Sequence, residues 1–339
     1  MESLAADSVR FVADSDPRAE GFPRLELQTP RPVIAFDIGG TAIKIAIVDA
    51  RGYVVHTRSV PTPVGDEAAL LGVLAHAVDD ACRNFPQAYP AAIGVHITGL
   101  VDDDRGVVIL AEHLGLRDVA MRDRLEAITG LPVAFGNDAR GAGVAEFEMG
   151  AARAHRNAVV VSIGTGIGAA VFVDARLYTA DGFGAELGHM RTTRVGSTAG
   201  VECACGGWGC LETLASAKGV VGAYTRATGT VPTDGAKWVF AAAAAGDQVA
   251  VAAVDSCIDA LALAFAQITA LLSPEIIVVA GGLSGAGEQL LGPLRERLDS
   301  MLTFQRRPVI AKARFGSQAG VIASALIAGR LSTAPKGRD

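Results

Sequence analysis

Short apolar runs that end in glycine alternate along this chain with longer segments of helical spacing. Residues 33–37 (VIAFD) read as a strand, Ile38-Gly39-Gly40-Thr41 as a glycine turn, and residues 43–49 (IKIAIVD) as a second strand, which together predict a hairpin with a Gly-Gly tip. A third strand over 53–60 closes a meander. Leu70, Leu71, Leu74, Val78 and Cys82 then recur at helical spacing and predict a helix over 66–85. A strand at 92–97, a helix over 117–129 and a strand at 132–135 follow. The last of these delivers Gly136-Asn137-Asp138 at its carboxyl end, with a further helix through 140–149.

The pattern then restarts. Phe36-Asp37-Ile38-Gly39 matches Val161-Ser162-Ile163-Gly164 at an offset of 125 residues, and the match runs on through Val48-Asp49-Ala50-Arg51-x-Tyr53 and Val173-Asp174-Ala175-Arg176-x-Tyr178. Two copies of a strand, glycine turn, strand unit predict two related α/β lobes, each presenting a glycine tip toward a shared cleft. Farther on, a helical pattern over 247–272 precedes a strand at 275–280 that ends in a third tip, Gly281-Gly282-Leu283-Ser284-Gly285. A strand over 309–313 and a helix over 318–331 close the chain.

With 339 residues, half of them hydrophobic, the chain is long enough for two buried cores. Its net charge of −6 and the lack of any basic block argue against a nucleic-acid or anionic-membrane surface as partner and leave small molecules. The most apolar run, 260–272, is 13 residues and too short to span a bilayer. Glu2 and Asp7 stand where a secretion signal would be basic and then apolar, so the expected location is the cytoplasm, whose reducing conditions suit free thiols. Residues 1–30 read as a flexible tail.

Three of the five cysteines fall in one octapeptide, Cys203-Ala-Cys205-Gly-Gly-Trp-Gly-Cys210, preceded by Glu186-Leu187-Gly188-His189 and followed by Glu212. Three thiolates and an imidazole fill a tetrahedral zinc site and leave no open position, so such a zinc would be structural. A disulfide between two of these cysteines, or buried thiols with no common role, are the other readings. The odd cysteine total and the missing signal peptide weigh against the disulfide. A metallated His189 keeps its second ring nitrogen as a fixed donor, and the metal would hold Glu186 and Glu212 in place.

Glycine tips let backbone N–H groups approach an anion, and three of them suggest a nucleoside triphosphate, although any one alone is as readily a plain turn. No Gly-x4-Gly-Lys-Ser/Thr loop occurs. Phosphoryl transfer to an alcohol also requires Mg²⁺ and a carboxylate to take the hydroxyl proton. Asp138 suits that task at its strand end, beside an Asn137 amide able to donate to and accept from a polyol; the competing reading makes it a helix N-cap. Asp37 either holds Mg²⁺ through water or ends a strand.

On these motifs, residues 33–330 resemble the ROK family of bacterial sugar kinases and repressors, within the actin/hexokinase-like ATPase superfamily. The resemblance implies duplicated ribonuclease H-like lobes: 31–136 with 317–333 as the small N-terminal lobe, and 137–316 as the large lobe with a zinc-binding insertion at 186–212. It implies Asp138 as base for a sugar 6-hydroxyl, with Asn137, Glu186, His189 and Glu212 on the other hydroxyls. ATP and its Mg²⁺ would meet Asp37, Gly39, Gly40, Thr41, Lys44, Gly164, Thr165, Gly166, Gly281 and Gly282, and structural zinc would be held by His189, Cys203, Cys205 and Cys210. A homo-oligomer, dimer or tetramer, is also implied. Three positions depart from the family pattern near the sugar: Gly136 where Glu is common, Arg140 where a small polar residue is common, and Thr98 where proline is usual. Glucose is the first expectation for the hexose, then mannose or an N-acylated or amino hexose, with polyphosphate as a second candidate donor. A repressor of the same family would place a winged helix ahead of the first strand, for which about 32 residues, in a segment acidic rather than basic, are too few. A sugar sensor without catalysis would have no use for Asp138.

Overall fold

The computed structural model describes residues 21–27, 29, 31–84, 89–192 and 200–331. Among the described residues thirteen strands are found: β1 (Val33–Ile38), β2 (Ala42–Val48), β3 (Val54–Pro61), β4 (Ala92–Ile97), β5 (Leu100–Asp102), β6 (Val107–Ala111), β7 (Leu116–Val119), β8 (Val133–Asn137), β9 (Ala158–Ile163), β10 (Ile167–Val173), β11 (Arg176–Leu177), β12 (Ile276–Ala280) and β13 (Val309–Lys312). The helices are α1 (Glu67–Asn84), α2 (Met121–Thr129), α3 (Asp138–Glu148), α4 (Glu212–Ala215), α5 (Ala217–Thr228), α6 (Gly235–Ala244), α7 (Gln248–Leu272), α8 (Glu288–Met301) and α9 (Ala319–Leu331). They form two compact units. The first takes in the described residues up to Gly141, with Thr179–Phe183 and those from Gln318 onward; the second is 142–178 with 184–317.

The first unit is built on a five-stranded sheet ordered β3-β2-β1-β4-β8, and the second on a sheet ordered β11-β10-β9-β12-β13. The two orders are the same. In each, the first strand pairs antiparallel with the hairpin strand after it and parallel with the strand on its other side. This shared topology is what a duplication predicts. The match is nevertheless not in step throughout. Ile38 pairs with Ile43 but Ile163 pairs with Ile167, so the second tip is one residue shorter and β10 runs one residue out of phase with the constant sequence offset. The next turn does not restore the phase: Asp174 and Ala175 adopt left-handed conformations and make a two-residue hairpin between the paired Val173 and Arg176, whereas five residues separate the paired Val48 and Val54 in the first copy.

Both faces of the first sheet are covered, which is why β4 is buried along its whole length. Ile34, Phe36 and Ile38 join a core with Leu70, Leu74 and Val78 of α1. On the other face α9 lies against β1 and β4, and its Ser324 hydroxyl donates to the Phe36 carbonyl at 2.8 Å. In the second unit Val159, Val161 and Ile163 pack with Cys257, Leu261 and Phe265 of α7, while Ala158, Val160 and Phe172 face Val144 and Phe147 of α3. α7 begins where the Asp247 carboxylate accepts from the Val249 and Ala250 amides.

Three expectations are corrected. The helix placed over 117–129 begins only at Met121, because residues 116–119 form β7, which pairs with β6 and, through it, β5 in a small sheet. Leu116 and Val119 are buried and the residues between them exposed, a spacing that a helix start would also show. The run 260–272 belongs to a 25-residue helix that, among the described residues, is the one long and apolar enough to cross a bilayer. What holds it in place here is the core around it, since more than half of its most apolar window is buried. Finally, the tail expected through residue 30 does not extend over Leu25, which is 2 % exposed and donates its N–H to the Gly52 carbonyl at 2.7 Å. Residues 1–20, 28 and 30 lie outside the described residues.

Candidate active site and metal centre

In the first unit the site starts from the ends of two parallel strands that flank β4. Asp37 sits near the end of β1, directly across the ladder from Lys44 on β2, and the Lys44 ammonium lies 3.4 Å from its Oδ2. Burial raises the Asp37 pKa above the usual carboxylate range, with Lys44 opposing. The tip that follows, Gly39 to Thr41, is pinned by Thr62, whose hydroxyl donates to the Gly39 carbonyl at 2.7 Å. Thr62 is a residue that no local pattern in the sequence marks, because it lies 23 positions from its partner.

At the end of β8 the structure decides which of two neighbouring residues caps α3. The Asn137 side-chain oxygen accepts the Arg140 N–H at 2.9 Å, so Asn137 is the N-cap and Asp138 is the first helical residue. The Asn137 amide nitrogen donates to Gly99 O at 2.8 Å and to Asp138 Oδ1 at 3.3 Å, so both its donors are used within the protein. Asp138 Oδ1 also accepts the Ala139 N–H at 2.8 Å. The Asp138 pKa is raised to about 6, first by burial and then by the neighbouring Asp37 charge, against the opposing effects of the Ala139 N–H, the Thr98 hydroxyl and Arg140. Thr98, where the family pattern has proline, therefore bears on the carboxylate of greatest interest. Arg140 does not project toward solvent: it is 2 % exposed and holds both oxygens of Asp103.

In the second unit His189, Cys203, Cys205, Cys210 and Glu212 come together, held by backbone contacts. Cys203 N–H donates to Gly207 O and Gly206 N–H returns to Cys203 O, making a tight knuckle. Leu211 N–H donates to Met190 O at 2.7 Å, which brings Cys210 beside His189. Gly188 is required by the close approach of the Ile167 carbonyl, 2.2 Å from where a Cβ would stand. That contact seats the Glu186 to His189 turn on the start of β10. Residues 193–199, between turn and knuckle, lie outside the described residues.

The donor atoms of His189, Cys203, Cys205 and Cys210 all lie within 4.8 Å of one another. Cys205 and Cys210 sulfurs are 3.7 Å apart, and Cys203 Sγ is 3.8 Å from His189 Nδ1. Tetrahedral zinc with Zn–S bonds of about 2.3 Å sets its sulfurs about 3.8 Å apart, so the four residues fit the ion. The nitrogen facing the thiols is Nδ1, which leaves Nε2 as the ring's outward position. Burial, and then a hydrogen bond to Glu212, push the Cys203 thiol up, whereas the Gly207 N–H lowers Cys205. Bound metal would take the place of the proton that Cys203 donates to Glu212 Oε1 over 2.9 Å.

Glu212 has a second neighbour. Its Oε2 lies 2.8 Å from where a Cβ on Gly166 would stand, so the second glycine tip closes against this carboxylate only as glycine. Ala217 N–H donates to Gly164 O at 2.9 Å, a further tie between the segment after the knuckle and the same tip. Thr165 is exposed at that tip. The third tip opens at Gly281 after β12 and continues into the turn Gly282–Ala286.

A model of the ROK family matches residues 33–330. A glucokinase of Halalkalibacterium halodurans is 32 % identical over 311 residues, covering 85 % of this chain and 92 % of the relative. An N-acetyl-D-glucosamine kinase of Yersinia pseudotuberculosis is 29 % identical, covering 86 % and 97 %. Among solved structures, a ROK family glucokinase from Streptomyces griseus in complex with glucose and AMPPNP superposes with a TM-score of 0.74 at 29 % identity, covering 88 % of this chain and 99 % of that one.

Proposed function

The chain belongs to the ROK family and is a sugar kinase acting on hexoses, and from that premise we propose that it moves the terminal phosphoryl group of ATP to a hexose 6-hydroxyl with Asp138 as general base. The observation that carries the base is the capping of α3 by Asn137, which relieves the Asp138 carboxylate of the N-cap role. A carboxylate whose pKa is about 6 is ionised at neutral pH and is a better proton acceptor than an ordinary aspartate. In the reaction the 6-hydroxyl proton passes to Asp138 as the new oxygen–phosphorus bond forms, and the bond to the β-phosphate oxygen breaks to release ADP.

Glu186 and Glu212 are suited to accept hydrogen bonds from sugar hydroxyls, and His189 to donate one from Nε2. Asn137 has less to offer than its type suggests, because both amide hydrogens are spent on Gly99 and Asp138. The backbone of Gly39, Gly40 and Thr41, of Gly164 to Gly166, and of Gly281 and Gly282 would cradle ATP phosphates, with Lys44 adding positive charge. Mg²⁺ supplies charge neutralisation of the phosphates, and Asp37 would hold it through water. Structural zinc on His189, Cys203, Cys205 and Cys210 would fix the sugar-binding side chains, and the cytoplasm would keep those thiols reduced.

Glucose is our first choice of hexose, supported by the glucokinase names of the relatives and by the glucose bound in the Streptomyces griseus enzyme. The N-acetyl-D-glucosamine kinase among them keeps N-acylated hexoses second. The test is a coupled assay over glucose, mannose, glucosamine and N-acetylated hexoses, each with ATP and with polyphosphate, and identification of the product. Glucose 6-phosphate formed fastest with ATP is the expected outcome. Phosphate on another hydroxyl, or no hexose accepted, would overturn the reading.

A further inference from the structure

Asp103 and Arg140 are 37 residues apart; Asp103 belongs to no motif named above, and Arg140 departs from one. Arg140 Nε reaches Asp103 Oδ2 at 3.0 Å and its Nη2 reaches Oδ1 at 2.9 Å, a bidentate pair. Asp103 Oδ1 also accepts the Asn137 N–H at 3.1 Å. The ring closes through the Asn137 side-chain oxygen, which accepts the Arg140 N–H. Asp138 is the residue in the middle of this ring, and the Asn137 amide nitrogen reaches its Oδ1. Arg140 extends the frame by donating from Nη2 to Val101 O at 2.6 Å and from Nη1 to Gly182 O at 3.3 Å.

We propose that Asp103 and Arg140 are a positioning pair for the general base, an ion pair that fixes the β8–α3 corner so that Asn137 keeps the cap and the Asp138 carboxylate keeps its aim. The inference rests on the base reading of Asp138. A corner that only had to be filled would be served as well by apolar side chains, because a buried ion pair gives little net stability against a hydrophobic replacement. What the planar guanidinium adds is direction: two parallel hydrogen bonds to one carboxylate fix its orientation in a way that packing alone does not. The departure at position 140 from the small residue common in the family thus has a partner at 103.

The test is a cycle of Arg140→Gln, Asp103→Asn and the double variant, each made in the wild type and again in an Asp138→Asn background, with kcat, KM for sugar and ATP, and thermal unfolding measured on the full chain. A misplacement of about 1 Å costs roughly 100-fold in rate, so each single variant should lose roughly 10- to 100-fold in kcat while both KM values stay within about threefold. The double variant, which leaves no unpaired buried charge, should be folded at the assay temperature even where a single one is not, and should lose no more than the worse single. In the Asp138→Asn background the same changes should alter residual turnover by less than about twofold, since the group they position is gone. Equal losses in both backgrounds, a folded double variant with wild-type kcat, or a raised KM with kcat retained would each overturn the proposal. If Asp138→Asn by itself keeps turnover within about tenfold, the base reading fails and the positioning role falls with it; this outcome is distinct, because it is read before either partner is changed.

Discussion

Replacing Asp138 by Asn should make the protein more stable at neutral pH while disabling it. The carboxyl is raised from 3.8 to about 6, a shift of about 2 units at ~1.4 kcal/mol each, so ionising it in the folded state costs at most about 3 kcal/mol. The sign follows from proton counting. Between the two pKa values the native state holds more protons than the unfolded state, so this group's contribution to stability falls as pH rises through that window. An asparagine has the same shape and can still accept the Ala139 N–H, but it does not titrate. The advantage of the variant should therefore be about 1 kcal/mol at pH 4.5 and about 3 kcal/mol at pH 7.5. Any fixed difference between acid and amide cancels when the two pH values are compared. Urea unfolding of both proteins at these two pH values measures the change, and kcat of the variant should be down by roughly a thousandfold. A stability gap that does not grow with pH, or that shrinks, would refute the desolvated carboxylate from which the magnitude is worked. Such a gain in stability with loss of turnover is what a strained catalytic group predicts.

Other outcomes can be checked in parallel. The acid limb of kcat/KM should lie near pH 6, where Asp138 loses its proton, and Thr98→Val should move that limb upward because the lost hydroxyl no longer favours the ionised form; a pH–rate profile decides it. Cys205→Ala should lose zinc by elemental analysis and weaken sugar binding by about tenfold or more, with a smaller loss for ATP because Glu212 and Ala217 also meet the second tip. Normal sugar affinity in the metal-free variant would refute this role for the zinc. Gly166→Ala should cost little stability, on the order of 1 kcal/mol or less, because the atom in the way is the mobile end of Glu212; the carboxylate is what must move, so KM for the sugar should rise several-fold. A large melting shift with unchanged KM would count against the contact.

Much of this protein was readable from neighbours along the chain. β1 and β2 with Gly39 and Gly40 between them, the second hairpin at Ile163, and the helix opened by Asp247 all follow from periodicity and turn chemistry spanning a few residues. The cluster of groups able to hold a metal was readable for the same reason, since Cys203, Cys205 and Cys210 fall within one octapeptide and ligand spacing is a local property. The small sheet of β5, β6 and β7 was not, because strands of three to five residues carry too little alternation to be told from the start of a helix. Nor could residue type choose between Asn137 and Asp138 as the cap of α3, for both are good caps and they are adjacent. That choice is made by Asp103, Arg140 and Gly99, which hold the Asn137 backbone and amide from elsewhere in the fold. The contact of Glu212 with the second tip joins residues 46 positions apart, and the missing residue in that tip shows only in the pairing of Ile163 with Ile167. Local spacing determined which groups this chain possesses. Only the packed structure, where burial obliges each polar group to take a partner, decided which of them are spent on holding the fold and which are left for chemistry.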